Sequence, residues 1–447
     1  MIVTLILPSV GKIRGEKYIR AWQMEPLPIA QLAALTPENI ELKFFDDRME
    51  SIDYSAKTDL VAISVETYTA RRAYQIAQHF KQKNIPVVMG GFHATLCPNE
   101  VAQHANSVVI GSAEGIWTKL LSDFENGTLQ KLYSSTTCDF TSGLMPDRKI
   151  YAGKNYLKIN LIEAGRGCRF RCEFCSIHNF FGQNYLSRPI SDVIAEIKIL
   201  KPNKRLFFFV DDNIIGNHEK ALALFEALIP LKIKWVGQAD ITITRNEKLL
   251  DTMVKSGCQG VLIGFESLHP DTLKQMNKGF NYTGTQLQEA IIKVHKKGLR
   301  IYATFLFGYG HDSEDDFKRV LDFCLKTRIF MVGFNHLTPF PGTALYSRLQ
   351  NENRLLYDKW WLHPKYRYGQ IPFTTTIETS SIEKMSLQLR KKFYSVKSIL
   401  NRMRNFTNIS TVQMFVAYIS INLMLRADSS VRMRFPLGDD SDTVEIS

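Results

Sequence analysis

The chain has 447 residues, 45% of them hydrophobic and 22% charged, which is ordinary globular composition on a length that calls for two or three domains at ~150 residues each. That balance excludes disordered and fibrous classes, and the longest apolar stretch, 412–425, interrupted by Ser420 and Asn422, falls short of the ~20 residues that span a bilayer. The net charge of +12, from 56 Lys and Arg against 44 Asp and Glu, fits nucleic acid, an anionic lipid or a phosphorylated ligand and does not choose among them.

The opening MIVTLILPSV has no basic run ahead of its apolar residues and reads as a first strand rather than a signal peptide, so a cytoplasmic enzyme is the expectation. Strands are predicted over 2–7, 41–45, 60–65, 86–90 and 107–110, with helices over 27–35, 69–82 and 113–122. Five strands alternating with helices predict an α/β, Rossmann-like doubly wound parallel sheet in residues 1–125. Residues 126–155, rich in Ser, Thr, Asp and Gly and without a period, read as a linker.

A second alternation starts at Leu157. Its strands are predicted over 158–163, 205–210, 233–239, 260–264, 301–307 and 331–336, and its helices over 191–200, 218–229, 246–256, 283–297 and 313–327. Six βα units are too few to close an eight-fold barrel, so residues 156–345 are expected to form an open, partial (β/α)6 barrel with its chemistry on loops at the carboxyl ends of the strands. Residues 346–447 carry Trp360, Trp361 and a helical, basic run, and read as a smaller third region with an acidic, polar and disordered tail from Gly438.

Seven cysteines is an odd count, and all are single apart from one cluster, so a disulfide framework is not expected. The cluster is Cys168, Cys172 and Cys175, a C-x3-C-x2-C run directly after the first strand of the second series. Structural zinc sites take four ligands in paired sets, and no second pair exists here. On an iron–sulfur cluster, held by four thiolates when complete, three cysteines leave one iron open, and an open position on a metal is where a substrate or cosubstrate binds.

This spacing, Phe174 just before the third cysteine, and the place after strand one of a partial barrel resemble the radical S-adenosylmethionine enzymes. The resemblance implies that Cys168, Cys172 and Cys175 hold a [4Fe-4S] cluster and that the methionine end of S-adenosylmethionine chelates the open iron. One electron then cleaves the sulfonium to a 5′-deoxyadenosyl radical. The competing reading is a zinc knob or three buried thiols. Asp211 and Asp212 end the second strand, where the family binds the methionine amino group; they read equally as a cap for the helix near His218 or a turn with Asn213. Gln238 and Asp240 end the third strand. Glu266 ends the fourth and resembles the family's carboxylate on the cosubstrate ribose, a charged residue in need of a polar partner after an apolar run. Phe307 and Gly308 end the fifth, where glycine lets backbone approach adenine, or serve only as a loop with Gly310. His178 reads as an ordinary loop residue.

Residues 1–345 together resemble the cobalamin-binding subgroup of these enzymes, which includes methylases of unactivated carbon and an anaerobic ring cyclase. The matching residues are Ser64 to Thr67 after the third strand, Gly90 and Gly91 followed by Phe92, His93, Ala94 and Thr95 after the fourth, and Gly111 to Glu114 after the fifth. All lie at carboxyl ends of strands, where glycines let backbone reach a nucleotide tail and hydroxyls pair with its phosphate; singly, each also reads as a turn or a cap. The D-x-H-x-x-G signature is missing: after the second strand the chain reads Asp46, Asp47, Arg48, Met49, Glu50, Ser51, with no histidine for cobalt. Either cobalamin binds with no protein ligand on its lower face or the domain keeps its shape without the cofactor.

The resemblance therefore implies cobalamin-dependent methyl transfer to an sp3 carbon or phosphorus of a small-molecule or lipid-like substrate, fed by an external electron donor of flavodoxin or ferredoxin type. Radical cyclisation, rearrangement or carbon–carbon bond formation without net methylation is the second reading, and a cobalamin or redox sensor the third. Cys97, Cys138, Cys258 and Cys324 are widely spaced, which argues against an auxiliary cluster and methylthio transfer. Between Lys384 and Arg434 ten Lys or Arg stand against one acid, Asp428, around the apolar stretch 412–425. That arrangement suits an anionic or membrane-derived substrate and peripheral membrane contact, or else a core helix with a solvated basic face. No nucleic-acid-binding module is recognised.

Overall fold

The apolar runs pair as parallel strands in two separate sheets. The computed structural model describes residues 1–13, 23–135, 140–182, 185–310, 312–428 and 435–442, in a mixed α/β arrangement. In the first sheet, strands β1 (Ile2–Leu7), β2 (Glu41–Asp46), β3 (Leu60–Ser64), β4 (Val87–Gly90), β5 (Ser107–Ile110) and β6 (Leu132–Ser134) lie in the order 2-1-3-4-5-6. β1 and β3 read IVTLIL and LVAIS, near-continuous apolar runs, because both faces of a parallel sheet are covered. The polar residue inside β1, Thr4, is buried and donates to the Thr58 hydroxyl at 2.9 Å. Strand order reverses between β1 and β3, the kind of point outside which a ligand crevice opens.

β6 lies inside the stretch predicted as linker. Leu132 and Ser134 are exposed and only Tyr133 is buried, so its pattern is too short to read; the pairing of Val108 with Leu132 makes it a strand.

In the second sheet, β7 (Ile159–Ile162), β8 (Leu206–Phe209), β9 (Trp235–Gln238), β10 (Cys258–Glu266), β11 (Arg300–Phe307) and β12 (Met331–His336) are hydrogen-bonded in sequence order. Helices Ile190–Leu200, His218–Leu228, Glu247–Lys255, Gly284–Lys296 and Glu314–Lys326 alternate with them. Their starts are chemically marked. Asn217 and Asn246 accept from Lys220 and Leu249 N–H, and Ser313 with Asp316 makes a capping box.

The residues after 345 divide between the two sheets. Trp360, Trp361 and Tyr366 are buried in the core of the first sheet, whereas helices Thr379–Phe393, Val396–Arg402 and Val412–Asp428 pack on the second. Arg402 is fully buried and staples that junction, donating to the carbonyls of Ile329, Phe330 and Phe393 and to the Asn422 side chain. The chain then returns to the first sheet. Gly438–Asp439 pairs with Gly11–Lys12, and Asp442 accepts from Arg72 and pairs with His79. The tail predicted as disordered from Gly438 is thus tied down as far as 442, by long-range partners that no local pattern announces; residues 443–447 lie outside those described.

Candidate active site

The loop that follows β7 carries Cys168, Cys172 and Cys175 as free, half-buried thiols. Burial, with a smaller push from the neighbouring sulfurs, raises Cys172 to about 11 and Cys175 to about 12, Lys278 partly offsetting the rise at Cys172. Burial also raises Cys168. A bound cation would oppose that rise, since metal ligation requires the thiolate. Among the described residues no three His, Cys, Asp or Glu side chains converge tightly enough to hold a single metal ion. Three thiolates on one loop are the donor set of a cluster that takes each on a different iron and leaves one iron open.

The loop is fixed from several sides. Inside the cysteine spacing, the Glu173 carboxylate accepts from Tyr309 OH at 2.9 Å and from Arg348 Nε and Nη2 at 2.6 and 3.1 Å. Its N–H donates to the Met276 carbonyl and its carbonyl accepts from Leu345 N–H, both at 3.0 Å. Phe174 packs partly buried on the core of the second sheet, and Phe170 stacks on Phe280 with ring centres 3.6 Å apart.

Asp211 and Asp212 follow β8, and neither caps the helix His218–Leu228, whose cap is Asn217. They brace the entry to the cysteine loop: Asp211 accepts from Ala164 N–H at 3.1 Å, and Asp212 from Gly167 N–H at 3.0 Å. Tyr185 OH also donates to Asp211, at 3.2 Å. The Tyr185 ring fits there because residues 165 and 216 are glycines; a Cβ on either would come within 2.2 Å or 2.7 Å of it. Burial pushes Asp211 up to about 8 and Asp212 up to about 6.

The other strand ends converge on the same mouth. Asn213, buried, donates to Asp240 at 2.9 Å and lies in hydrogen-bonding reach of Cys168. Gln238 ends β9 half-buried, its carbonyl accepting from Ile214 N–H. Glu266 sits at φ +63 where the pairing of β10 with β11 shifts register, and it is ion-paired to Lys278 at 2.7 Å. Residue 264 has to be glycine for that pair to form, since a Cβ there would lie 2.1 Å from Glu266 Oε1. Burial opposes the charge on Lys278, but Glu266 and the cysteine sulfurs outweigh it and raise its pKa. The Phe307 ring does not face the mouth: it stacks on Phe317 at 4.1 Å in the core, so only backbone from this position reaches the site.

A cleft of about 250 Å³ opens at the carboxyl ends of β3, β4 and β5. Its lining includes Ser64, Glu66, Gly90, Gly91, Gly111 and Glu114, all within the three runs matched from the sequence. Gly91 and Gly111 are at φ +99 and +79, and a Cβ on Gly91 would lie 2.9 Å from the Val65 carbonyl oxygen, so backbone geometry alone demands glycine there. At Gly90 a Cβ would meet nothing closer than 3.5 Å. Thr67 does not line the cleft; it is buried beside His93, their side chains 3.3 Å apart. The far wall belongs to the cysteine-loop segment: Glu163 and Arg166 precede Cys168, and Phe180 and Phe181 follow Cys175. Arg166 Nη2 spans the two halves to Glu114 at 2.7 Å and Glu163 at 2.9 Å. At the position of the missing histidine the side chains are already engaged, Asp46 by Arg48 and Tyr156 and Asp47 by Ser9, Lys12 and Arg72.

Sequence reasoning missed Glu173, Tyr185, Arg166 and Lys278. Only Glu173 carried a local signal, its place inside the cysteine spacing.

Residues 162–324 match the sequence profile of the radical SAM superfamily, and residues 343–425 match a domain of unknown function (DUF4070). The chain is 30% identical over 392 residues to the bacteriochlorophyllide d C-12(1)-methyltransferase of Chlorobaculum tepidum, covering 85% of this chain and 84% of that protein. It is also 30% identical over 351 residues to the C-8(2)-methyltransferase of the same organism, covering 75% and 78%. Among solved structures, the cobalamin-dependent S-adenosylmethionine radical enzyme OxsB with aqua-cobalamin and S-adenosylmethionine bound superposes with a TM-score of 0.64 at 14% identity, covering 94% of this chain and 72% of that one.

Proposed function

The chain belongs to the radical S-adenosylmethionine superfamily, and from that premise we propose that it is a cobalamin-dependent enzyme transferring a methyl group to an unactivated carbon, or to phosphorus, of a small-molecule or lipid-like substrate. In this reading residues 1–125 together with strand β6 are the cobalamin-binding-type Rossmann domain, the rest of 126–155 connects it to the barrel, and 156–345 are the partial (β/α)6 barrel. The observation that carries it is the shared wall: the cleft at the rim of the first sheet is closed by the segments that enter and leave the cysteine loop. A corrinoid anchored by its tail in the cleft and a radical source on the loop would face one space, which is the positioning such a reaction needs.

When bound, the [4Fe-4S] cluster supplies the electron that cleaves S-adenosylmethionine and the corrinoid carries the methyl group, so that each transfer consumes two S-adenosylmethionine and two electrons from a flavodoxin- or ferredoxin-type donor. The chain's part is to hold these groups. Cys168, Cys172 and Cys175 hold the cluster. Asp211, Asp212 and Glu173 keep their loop in place, and Gln238 with the Glu266–Lys278 pair presents polar groups to the cosubstrate. Ser64, Gly90, Gly111 and Glu114 line a volume that suits a nucleotide tail and not a whole macrocycle. No histidine is offered to the cobalt from the position after β2. Bacteriochlorophyllide is what the two named relatives act on, so a chlorin-type tetrapyrrole is the first substrate to try.

Anaerobic protein reconstituted with iron, sulfide and hydroxocobalamin tests this. Corrin absorbance should stay with the protein through gel filtration, and dithionite with S-adenosylmethionine should release 5′-deoxyadenosine. S-adenosylhomocysteine formed alongside it supports methyl transfer, whereas 5′-deoxyadenosine alone supports cyclisation or rearrangement. Zinc in place of iron, or no retained corrin, overturns the proposal.

A further inference from the structure

Eight of the fourteen exposed large apolar side chains among the described residues lie between Val396 and Met424, a short stretch of the chain. The helix Val412–Asp428 has no charged residue before Arg426 and is apolar on two opposite faces. One face packs inward through Tyr418 and Asn422, against Phe330 and Ile399 and onto Arg402. The other presents Val412, Phe415, Val416 and Leu423 at helical spacing, with Val412 80% exposed. Val396 and Leu400 add one turn of the preceding helix, and Phe406, also 80% exposed, stands on the connection between the two. A helix with two apolar faces is stable when both are covered, and a concentration of exposed apolar side chains of this kind marks an interaction surface.

The charge around the patch is predominantly basic, Asp428 being the one acid between Lys384 and Arg434. Lys391, Lys392, Lys397 and Arg404 are exposed and have no acidic partner among the described residues. A second copy of this chain would bring the same cations against themselves, whereas an anionic headgroup layer over an apolar interior complements both the rim and the patch. No helix among the described residues is long and apolar enough to cross a membrane, so contact is with the surface.

The patch also has a defined place on the fold. Arg300, which begins β11, donates to Ser410; Thr407 donates to the His295 carbonyl, and Asn408 to that of Arg328, just before β12. These are the amino ends of the strands. The cysteine loop and the cleft lie at the carboxyl ends.

We infer that this surface docks the enzyme on an anionic bilayer, inserting Phe406 and the outer face of helix Val412–Asp428 at the headgroup boundary while the cysteine loop and cleft stay open to solvent. The inference is independent of the reaction assigned above, since vesicle binding requires neither cluster nor corrinoid.

Full-length protein is mixed with vesicles of phosphatidylcholine, with or without phosphatidylglycerol, and pelleted. Binding is expected only with phosphatidylglycerol and should weaken as salt rises. The Phe406→Ser/Phe415→Ser double variant and the Lys397→Glu/Arg404→Glu double variant should each bind about tenfold more weakly, with 5′-deoxyadenosine formation unchanged. Equal binding to both vesicle types, no binding, or variants that pellet like the parent overturns it. So does a lipid-free dimer, seen by sedimentation velocity, that Phe415→Ser converts to monomer, because a second copy would then be the cover.

Discussion

Two glutamates in the first α/β sheet differ in what surrounds them. Glu100, behind the sheet, accepts from His93 Nε2 at 3.0 Å, Tyr74 OH and Trp361 Nε1 at 2.9 Å, and pairs with Lys359 at 3.1 Å. Burial works against its charge, but those donors overcome it and hold the carboxyl at about 2. Glu66 stands open to the cleft yet ringed by protein, and burial, with nothing to oppose it, pushes its carboxyl up to about 7. The accessible surface of Glu66 is that of the cleft floor, so water there softens the shift until a ligand displaces it. A carboxylate that serves the fold has its lone pairs satisfied from within, whereas one left to burial alone marks where the fold waits for something else.

The sharpest break between structural and waiting groups comes at the cysteine loop. Cys172→Ala should abolish 5′-deoxyadenosine formation and lower the iron content while leaving the urea midpoint nearly unchanged; a matching loss of stability would make the cysteine structural. Next is Glu100→Ala, which strands buried donors on His93, Tyr74 and Trp361 and should cost about 3 kcal/mol in urea unfolding. Glu173→Gln keeps the shape of the brace but weakens its hold on Arg348, and should reduce cluster occupancy several-fold at near-parental melting temperature.

The smallest effects carry the most specific signature, because the two glutamates have opposite pH slopes. The folded pKa of Glu100 is depressed below its ordinary 4.5, so its contribution is present above pH 4.5 and is lost as pH falls through about 2. Glu66 is raised above 4.5, so its contribution is present below pH 4.5 and is lost as pH rises through about 7. Glu66→Gln should therefore stabilise the apo protein at pH 8 relative to pH 4, by less than ~1 kcal/mol because water reaches the cleft. An unchanged pH profile in that variant would erase the distinction.

Much of this was readable locally. The strands of both sheets lie within two residues of their predicted bounds, because a parallel strand is a short apolar run between turn residues and a capped helix announces its start through residues such as Asn217, Asn246 and Ser313. The exceptions teach more. β6 reads as linker because three residues at an edge show no period. Thr67 and His93, adjacent to true cleft residues in the chain, turn to the back of the sheet to build the Glu100 network. Phe307 turns into the core although its backbone stands at the mouth.

The order of residues by itself determined the α/β alternation and the three-cysteine run, since both are set by patterns within single elements and loops. Only the tertiary structure decided that Asp211 and Asp212 brace that loop, that Gly165 and Gly216 make room for Tyr185, and that Arg166 ties it to Glu114 across the cleft. It alone decided, too, that the outer face of helix Val412–Asp428 is left uncovered. The physical reason is range: periodicity and capping are settled between near neighbours, whereas burial, ion pairing and the room left by a missing Cβ depend on partners that the chain brings together only when folded.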